Sequence, residues 1–288
     1  MTMLGPISRS FTSQRLRLRY VDWGNAGKPP LLLVHGGRDH CRSWDWTALA
    51  LRDDWHVIAL DHRGHGDSEW VSDGNYMAQD MVYDVAQLVH QLGFAPVTIV
   101  AHSMGGHVCL RYAAIFPELV RKIVAIEGLG PSPAIMAEQE KIPYPQRWRS
   151  WVEKKRSAAA RTPRRYPTID DALARMRQEN TYLTAEQARH LTLHGVNRNE
   201  DGSFSWKFDP HLNTWPVEQG REQLPELWAA ITCPALLLCG ADSFASHPED
   251  DGRIAHFRTA RVIEFANAGH WLHHDQFDRF IATLREFL

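Results

Sequence analysis

Apolar residues gather in short unbroken runs along this chain. Residues 30–34 (Pro-Leu-Leu-Leu-Val), 57–60 (Val-Ile-Ala-Leu), 97–100 (Val-Thr-Ile-Val), 123–126 (Ile-Val-Ala-Ile) and 235–239 (Ala-Leu-Leu-Leu-Cys) are of this kind. Runs of this length predict strands covered on both faces. Residues 16–21 instead alternate Leu and Arg before Tyr20 and Val21, predicting a strand with one solvated face, and a last strand is predicted over 261–265. Between the runs the spacing becomes helical. From 78 to 92, Met81, Val85, Leu88 and Leu92 recur on one face, with Asp80 and Asp84 near the start and Gly93 at the close. A second helix is predicted from Val108 to Phe116, stopped by Pro117, and a third from about 275 to 288. Strands alternating with helices predict a parallel sheet with helices on both faces.

The interval 131–215 breaks this alternation. It holds charge-rich helical segments, then Asp201-Gly202 between two polar–aromatic runs (197–200 and 203–208), a hairpin signal. Fourteen Lys and Arg stand there against ten Asp and Glu, a net of +4 that leaves −6 for the rest of the chain. The interval follows one strand and precedes the last two. The expected organisation is therefore a core of residues 1–130 and 216–288 with 131–215 inserted as a cap.

Composition narrows the partners. The 288 residues are 44% apolar and 23% charged, enough for one large domain with a real core. A net charge of −2 gives no reason to expect nucleic acid or a membrane surface. Residues 1–13 contain no apolar segment resembling a signal peptide, and no apolar run approaches the length of a membrane span. Cys41, Cys109, Cys233 and Cys239 lack metal-site spacing and suit a reducing compartment, so a cytoplasmic location is expected.

The chemistry concentrates at Ala101-His102-Ser103-Met104-Gly105-Gly106, between a predicted strand and a predicted helix. A serine there, with small residues two positions to either side, has the form of a nucleophile elbow. The turn is so tight that larger side chains at 101 and 105 would meet neighbouring backbone. The helix that follows aims its free N–H groups and positive dipole end at the hydroxyl. Four more segments follow predicted strand ends: His35-Gly36-Gly37, Asp61-His62-Arg63-Gly64-His65-Gly66-Asp67-Ser68, Gly240-Ala241-Asp242, and Ala268-Gly269-His270-Trp271. In an open parallel sheet, strand carboxyl ends share one edge and so bring these segments together.

This arrangement resembles the α/β-hydrolase superfamily over nearly the whole chain. It is most similar to capped members with a His-Gly loop and an Asp-x-Arg-Gly-His-Gly-x-Ser segment: esterases, C–C bond hydrolases, cofactor-free perhydrolases, epoxide hydrolases and haloalkane dehalogenases. The resemblance implies an α/β-hydrolase fold, a mostly parallel central sheet with helices on both faces and an inserted, mainly helical cap. The Asp61–Ser68 segment would shape the loop beside the nucleophile rather than react. Epoxide hydrolases and dehalogenases of this type need an aspartate nucleophile, so Ser103 points instead to attack on a carbonyl and an acyl-enzyme.

A serine nucleophile needs a base and an acid that holds it. His270, in its Gly-His context after the last strand, is the expected base. Two acids stand open. Asp242 is preferred, although only one residue separates it from Gly240 where many relatives have two; Glu127, at the end of the strand before the cap, is the alternative. The oxyanion hole is expected from the backbone N–H groups of Met104 and Gly37, with Arg38 the alternative to Gly37. Trp44, Trp46, Trp148 and Trp151 are candidate pocket residues, with core or cap packing as the competing reading. The run 147–165, eight basic residues and one acid, reads as a solvated helix face, with attraction of an anionic substrate as the alternative. His190 and His194 have i, i+4 spacing without a further ligand, so no metal site is expected there. The leading expectation is a cofactor-free serine hydrolase of small-molecule carboxylic esters, monomeric or homodimeric. C–C bond hydrolysis of ring-fission products, perhydrolase or amide hydrolase activity, and a ligand-sensing receptor role are the alternatives.

Overall fold

The computed structural model describes residues 5–214 and 221–288. Among the described residues ten strands are formed: β1 (Ile7–Ser13), β2 (Leu16–Asp22), β3 (Pro30–Val34), β4 (His56–Leu60), β5 (Val97–His102), β6 (Val120–Ile126), β7 (Val196–Arg198), β8 (Phe204–Trp206), β9 (Ala235–Gly240) and β10 (Ala260–Phe265). Eight of them make one sheet in the order β1-β2-β4-β3-β5-β6-β9-β10, while β7 and β8 pair separately. β1 and β2 run antiparallel to their neighbours and the rest are parallel. The carboxyl ends of β3, β5, β6, β9 and β10 therefore share one edge, as the alternation of runs and helices requires.

The helices are α1 (Asp45–Leu51), α2 (Ala78–Leu92), α3 (Met104–Ile115), α4 (Pro133–Glu140), α5 (Tyr144–Ala159), α6 (Ile169–Glu179), α7 (Ala185–Gly195), α8 (Leu224–Ala230), α9 (Leu272–Asp275) and α10 (Phe277–Phe287). One face of the sheet buries Ile99, Ala101, Val108 and Tyr112 with Met81, Val85 and Leu88 of α2. The other buries Leu33, Val100, Ile126 and Leu238 with Trp44, Phe280 and Leu284. The interiors of β3, β4, β5, β6 and β9 are thus covered twice, which is why their runs lack alternation.

Several elements depart from the sequence reading. β1 and α1 were not anticipated, α3 begins at Met104 rather than at 108, and the C-terminal helix is two pieces. The insertion after β6 carries α4 to α7 and the β7–β8 hairpin, which is shorter than expected but has the same centre. Its expected end, Trp215, lies outside the described residues. Capping boxes at Thr168/Asp171 and Thr184/Gln187 start α6 and α7 sharply. Among the described residues no helix is long and apolar enough to cross a membrane.

Candidate active site

Ser103 stands between β5 and α3 with φ +50° and ψ −118°, a conformation that an L-residue adopts only under restraint. The restraint is visible. Its N–H donates to the Ile126 carbonyl at 2.7 Å, and its carbonyl accepts from His107 at 3.0 Å. A Cβ at Gly105 would lie 2.4 Å from the His35 carbonyl oxygen, and one at Gly106 would lie 2.7 Å from Gly128 Cα. Those glycines let α3 settle onto the sheet edge, while Ala101 is fully buried within β5 and fits there.

His270 reaches this serine from the loop after β10. Its Nε2 accepts from Ser103 Oγ at 2.9 Å. Its Nδ1 is bonded to Glu127 Oε2, and because a carboxylate can only accept, Nδ1 carries the proton and Nε2 is left as an acceptor. The Glu127 side chain has no exposure, whereas 24% of the His270 side chain is exposed. Two further donors hold the carboxylate: Gly240 N–H to Oε1 at 2.9 Å and Ser243 Oγ to Oε2 at 2.6 Å. His102 lies beneath, its Nε2–H donating to the His270 carbonyl at 2.9 Å, and burial beside His270 pushes its pKa well below the usual imidazole value. Asp275 accepts the Gly269 N–H at 2.8 Å, and burial raises its carboxyl to about 6.

The preference for Asp242 is corrected by this geometry. Its backbone N–H is tied to the Ala268 carbonyl at 3.0 Å, and its Oδ2 accepts from Tyr182 Oη at 3.0 Å. The short Gly240-Ala241-Asp242 spacing is the cause. The next residue, Ser243, stands where the longer spacing would place an acid, and its hydroxyl donates to Glu127. Glu127, alternative acid in the sequence, occupies the position beside His270.

A cavity of about 590 Å³ opens over Ser103 and His270. Gly37, Arg38 and Met104 are on its wall, where the oxyanion donors were expected, and Arg38 has φ +61°. None of the four predicted tryptophans lines it. Trp44 is fully buried and stacked on His273 at 4.8 Å, Trp46 packs on His190 at 4.6 Å, and Trp148 and Trp151 meet edge-on at 5.5 Å in the insertion. Trp44 turns into the core beside α1, and Trp46 packs between α1 and the insertion rather than over the sheet edge. Trp206, Phe208, Phe244 and Trp271 supply the aromatic wall instead. The hairpin signal located Trp206 and Phe208, and the His270 loop contained Trp271, but nothing in the sequence aimed them at the serine. The basic run 147–165 is mostly exposed, yet Arg164 reaches the cavity.

Elsewhere, His190 and His194 are joined by Asp45, the ligand atoms of all three lying within 4.8 Å of one another. Arg42 already binds both Asp45 oxygens, from Nε at 2.9 and 2.8 Å and from Nη2 at 2.6 Å. A cation would have to displace that guanidinium.

Comparison with known proteins identifies the family and its relatives. Residues 29–277 match the family described as alpha/beta hydrolase fold. An esterase of Mycobacterium tuberculosis is 25% identical over 99% of this chain and 90% of its own length. An sn-1-specific diacylglycerol lipase of Xenopus tropicalis is 30% identical over 92% of this chain and 79% of its own. Among solved structures, a thioesterase domain from the curacin biosynthetic pathway superposes with a TM-score of 0.83 at 22% identity, covering 98% of this chain and 99% of that one.

Proposed function

Because the chain belongs to the α/β-hydrolase fold family, we propose that it performs serine-dependent ester hydrolysis through Ser103, His270 and Glu127. It is an ester-hydrolysing enzyme, in keeping with the esterase and the lipase among its relatives. The unbroken line from the Ser103 hydroxyl through His270 to the buried Glu127 carboxylate, at the floor of a cavity, carries the residue assignment.

The steps follow from the geometry. As Oγ attacks the ester carbonyl carbon, Nε2 of His270 takes its proton, and Glu127 stabilises the imidazolium that forms. The carbonyl oxygen becomes an oxyanion facing the N–H groups of Met104 and Gly37, each worth roughly 3 kcal/mol of transition-state stabilisation. The imidazolium then protonates the leaving alcohol, and the acyl group remains on Ser103. Water, deprotonated by the same nitrogen, releases the acid and restores the serine. The four buried thiols, none in a disulfide, suit the cytoplasm.

A fluorophosphonate probe tests the reading directly. It should label Ser103 and fail on Ser103→Ala, which should also lose turnover of short p-nitrophenyl esters while keeping its melting temperature. Labelling of another serine would remove the assignment. A single slow turnover with retained ligand would favour a receptor.

A further inference from the structure

We propose that the ester accepted by this site carries a carboxylate on an apolar body, and that Arg164 and Arg38 at the cavity wall read that charge. The inference rests on the ester-hydrolase reading above and adds a substrate class to it.

The cavity wall carries three arginines, Arg38, Arg164 and Arg175, against one carboxylate, Glu179. Glu179 is already taken, paired with Arg175 at 2.5 Å, and Arg175 also donates to Gln178 at 3.0 Å. Among the described residues no carboxylate pairs with Arg38 or Arg164. Arg164 instead lies 5.2 Å from the Tyr166 ring centroid, a contact that orients the guanidinium without neutralising it. The rest of the wall includes Met104, Met176, Trp206, Phe208, Leu212 and Phe244. Both residues are exposed, so solvent and salt screen their charge, but two unneutralised guanidinium groups at the rim of an aromatic-walled cavity still favour an anion and oppose a cation. The planar fork of arginine also matches a carboxylate through two parallel hydrogen bonds.

The charge balance of the whole chain points the same way. The insertion 131–215, which supplies Arg164 and Arg175, is net +4 while the remainder is net −6. Positive charge is therefore concentrated on the segment that walls the cavity. If the arginines were only a solvated rim, a substrate's charge would make no difference to its turnover, and that is the point to test.

The experiment compares two esters of equal length: the p-nitrophenyl ester of glutaric acid with its far carboxylate free, and the same compound with that carboxylate capped as a methyl ester. The free acid should show kcat/KM higher by about ten-fold at low ionic strength, equivalent to one charge-assisted contact, and the advantage should shrink in 0.5 M salt. Arg164→Gln should lower that ratio by at least about five-fold, chiefly through KM. Lys154→Gln makes the same charge change on an exposed part of α5 and should leave the ratio as it was. A wild-type ratio near one, or a ratio that neither Arg164→Gln nor Arg38→Gln alters, overturns the inference and leaves the ester-hydrolase reading intact. Turnover of neither compound removes both together.

Discussion

Glu127 is a buried carboxylate with a full set of donors, from His270, Gly240 and Ser243. A carboxylate so held can only accept, and that fixes the His270 proton on Nδ1. Glu127→Gln would present an amide N–H to Nδ1 and favour the opposite tautomer, in which Nε2 cannot accept the serine proton. We expect kcat on p-nitrophenyl acetate to fall by roughly 10³–10⁴. Asp242→Asn removes only a contact to Tyr182 at the surface and should stay within about three-fold of wild type. The opposite ranking would return the acid to Asp242. The meeting of Ser103 and His270 was legible because each sits in a motif that the backbone itself demands: small residues round the elbow, and Gly-His after the last strand. The acid was not, because either carboxylate follows a strand on the correct edge, and a spacing shorter by one residue decides which side chain turns inward. Ser243 was the overlooked sign, since it stands where the longer spacing would place an acid.

Elements fared better where burial was two-sided. β3, β5, β6 and β9 announce themselves as unbroken apolar runs because helices cover both faces. β1 did not, since it is an edge strand with mostly exposed residues. Its hairpin to β2 also turns through Gln14 and Arg15 at φ +45° and +70°, without the glycine that usually marks such a turn. The elbow shows how one element depends on another's backbone. A methyl group at Gly105 would press on the His35 carbonyl, which belongs to the oxyanion loop and cannot swing aside like a side chain. Gly105→Ala is expected to lose on the order of 3 kcal/mol or more, in the range of severe overpacking. Gly93→Ala, at a left-handed helix end (φ +63°) with open space round it, should lose only about 1 kcal/mol. Urea midpoints at constant m-value measure both. Equal losses would show that backbone conformation, and not contact with the oxyanion loop, sets the need for glycine at 105.

Across the whole molecule the unusual feature is histidine. Sixteen are present, and His35, His40, His62, His65, His102, His273 and His274 are buried with their pKa values pushed down, chiefly by desolvation. Two of them, His40 and His274, sit where the core loops meet the insertion. His40 Nε2–H donates to the Leu191 carbonyl at 3.0 Å, and the His274 carbonyl accepts from Gln187 at 3.1 Å. His65 and His274 are lowered to about 3. Below about 6.5 the unfolded chain takes up protons that these folded imidazoles refuse. Their contribution to stability is therefore complete above 6.5 and is lost as pH falls towards 3. At pH 5 each has lost at most about 2 kcal/mol, so the pair approaches 4 kcal/mol against a total stability of roughly 5–15 kcal/mol. Asp39 and Asp275 act in the opposite sense. Burial raises both to about 6, so the folded state holds their protons more tightly and gains stability as pH falls from 6 to the ordinary carboxylate range. With His194, eight histidines are lowered, against three carboxyls raised once Asp84 is counted, and Asp275 is partly wet. The melting temperature should therefore fall steadily from pH 6.5 to pH 5, before most carboxylates titrate. His274→Gln, which cannot take a charge, should flatten that slope. A melting temperature that rises over this interval would mean that the raised carboxyls outweigh the histidines, and that the junction with the insertion tolerates protonation.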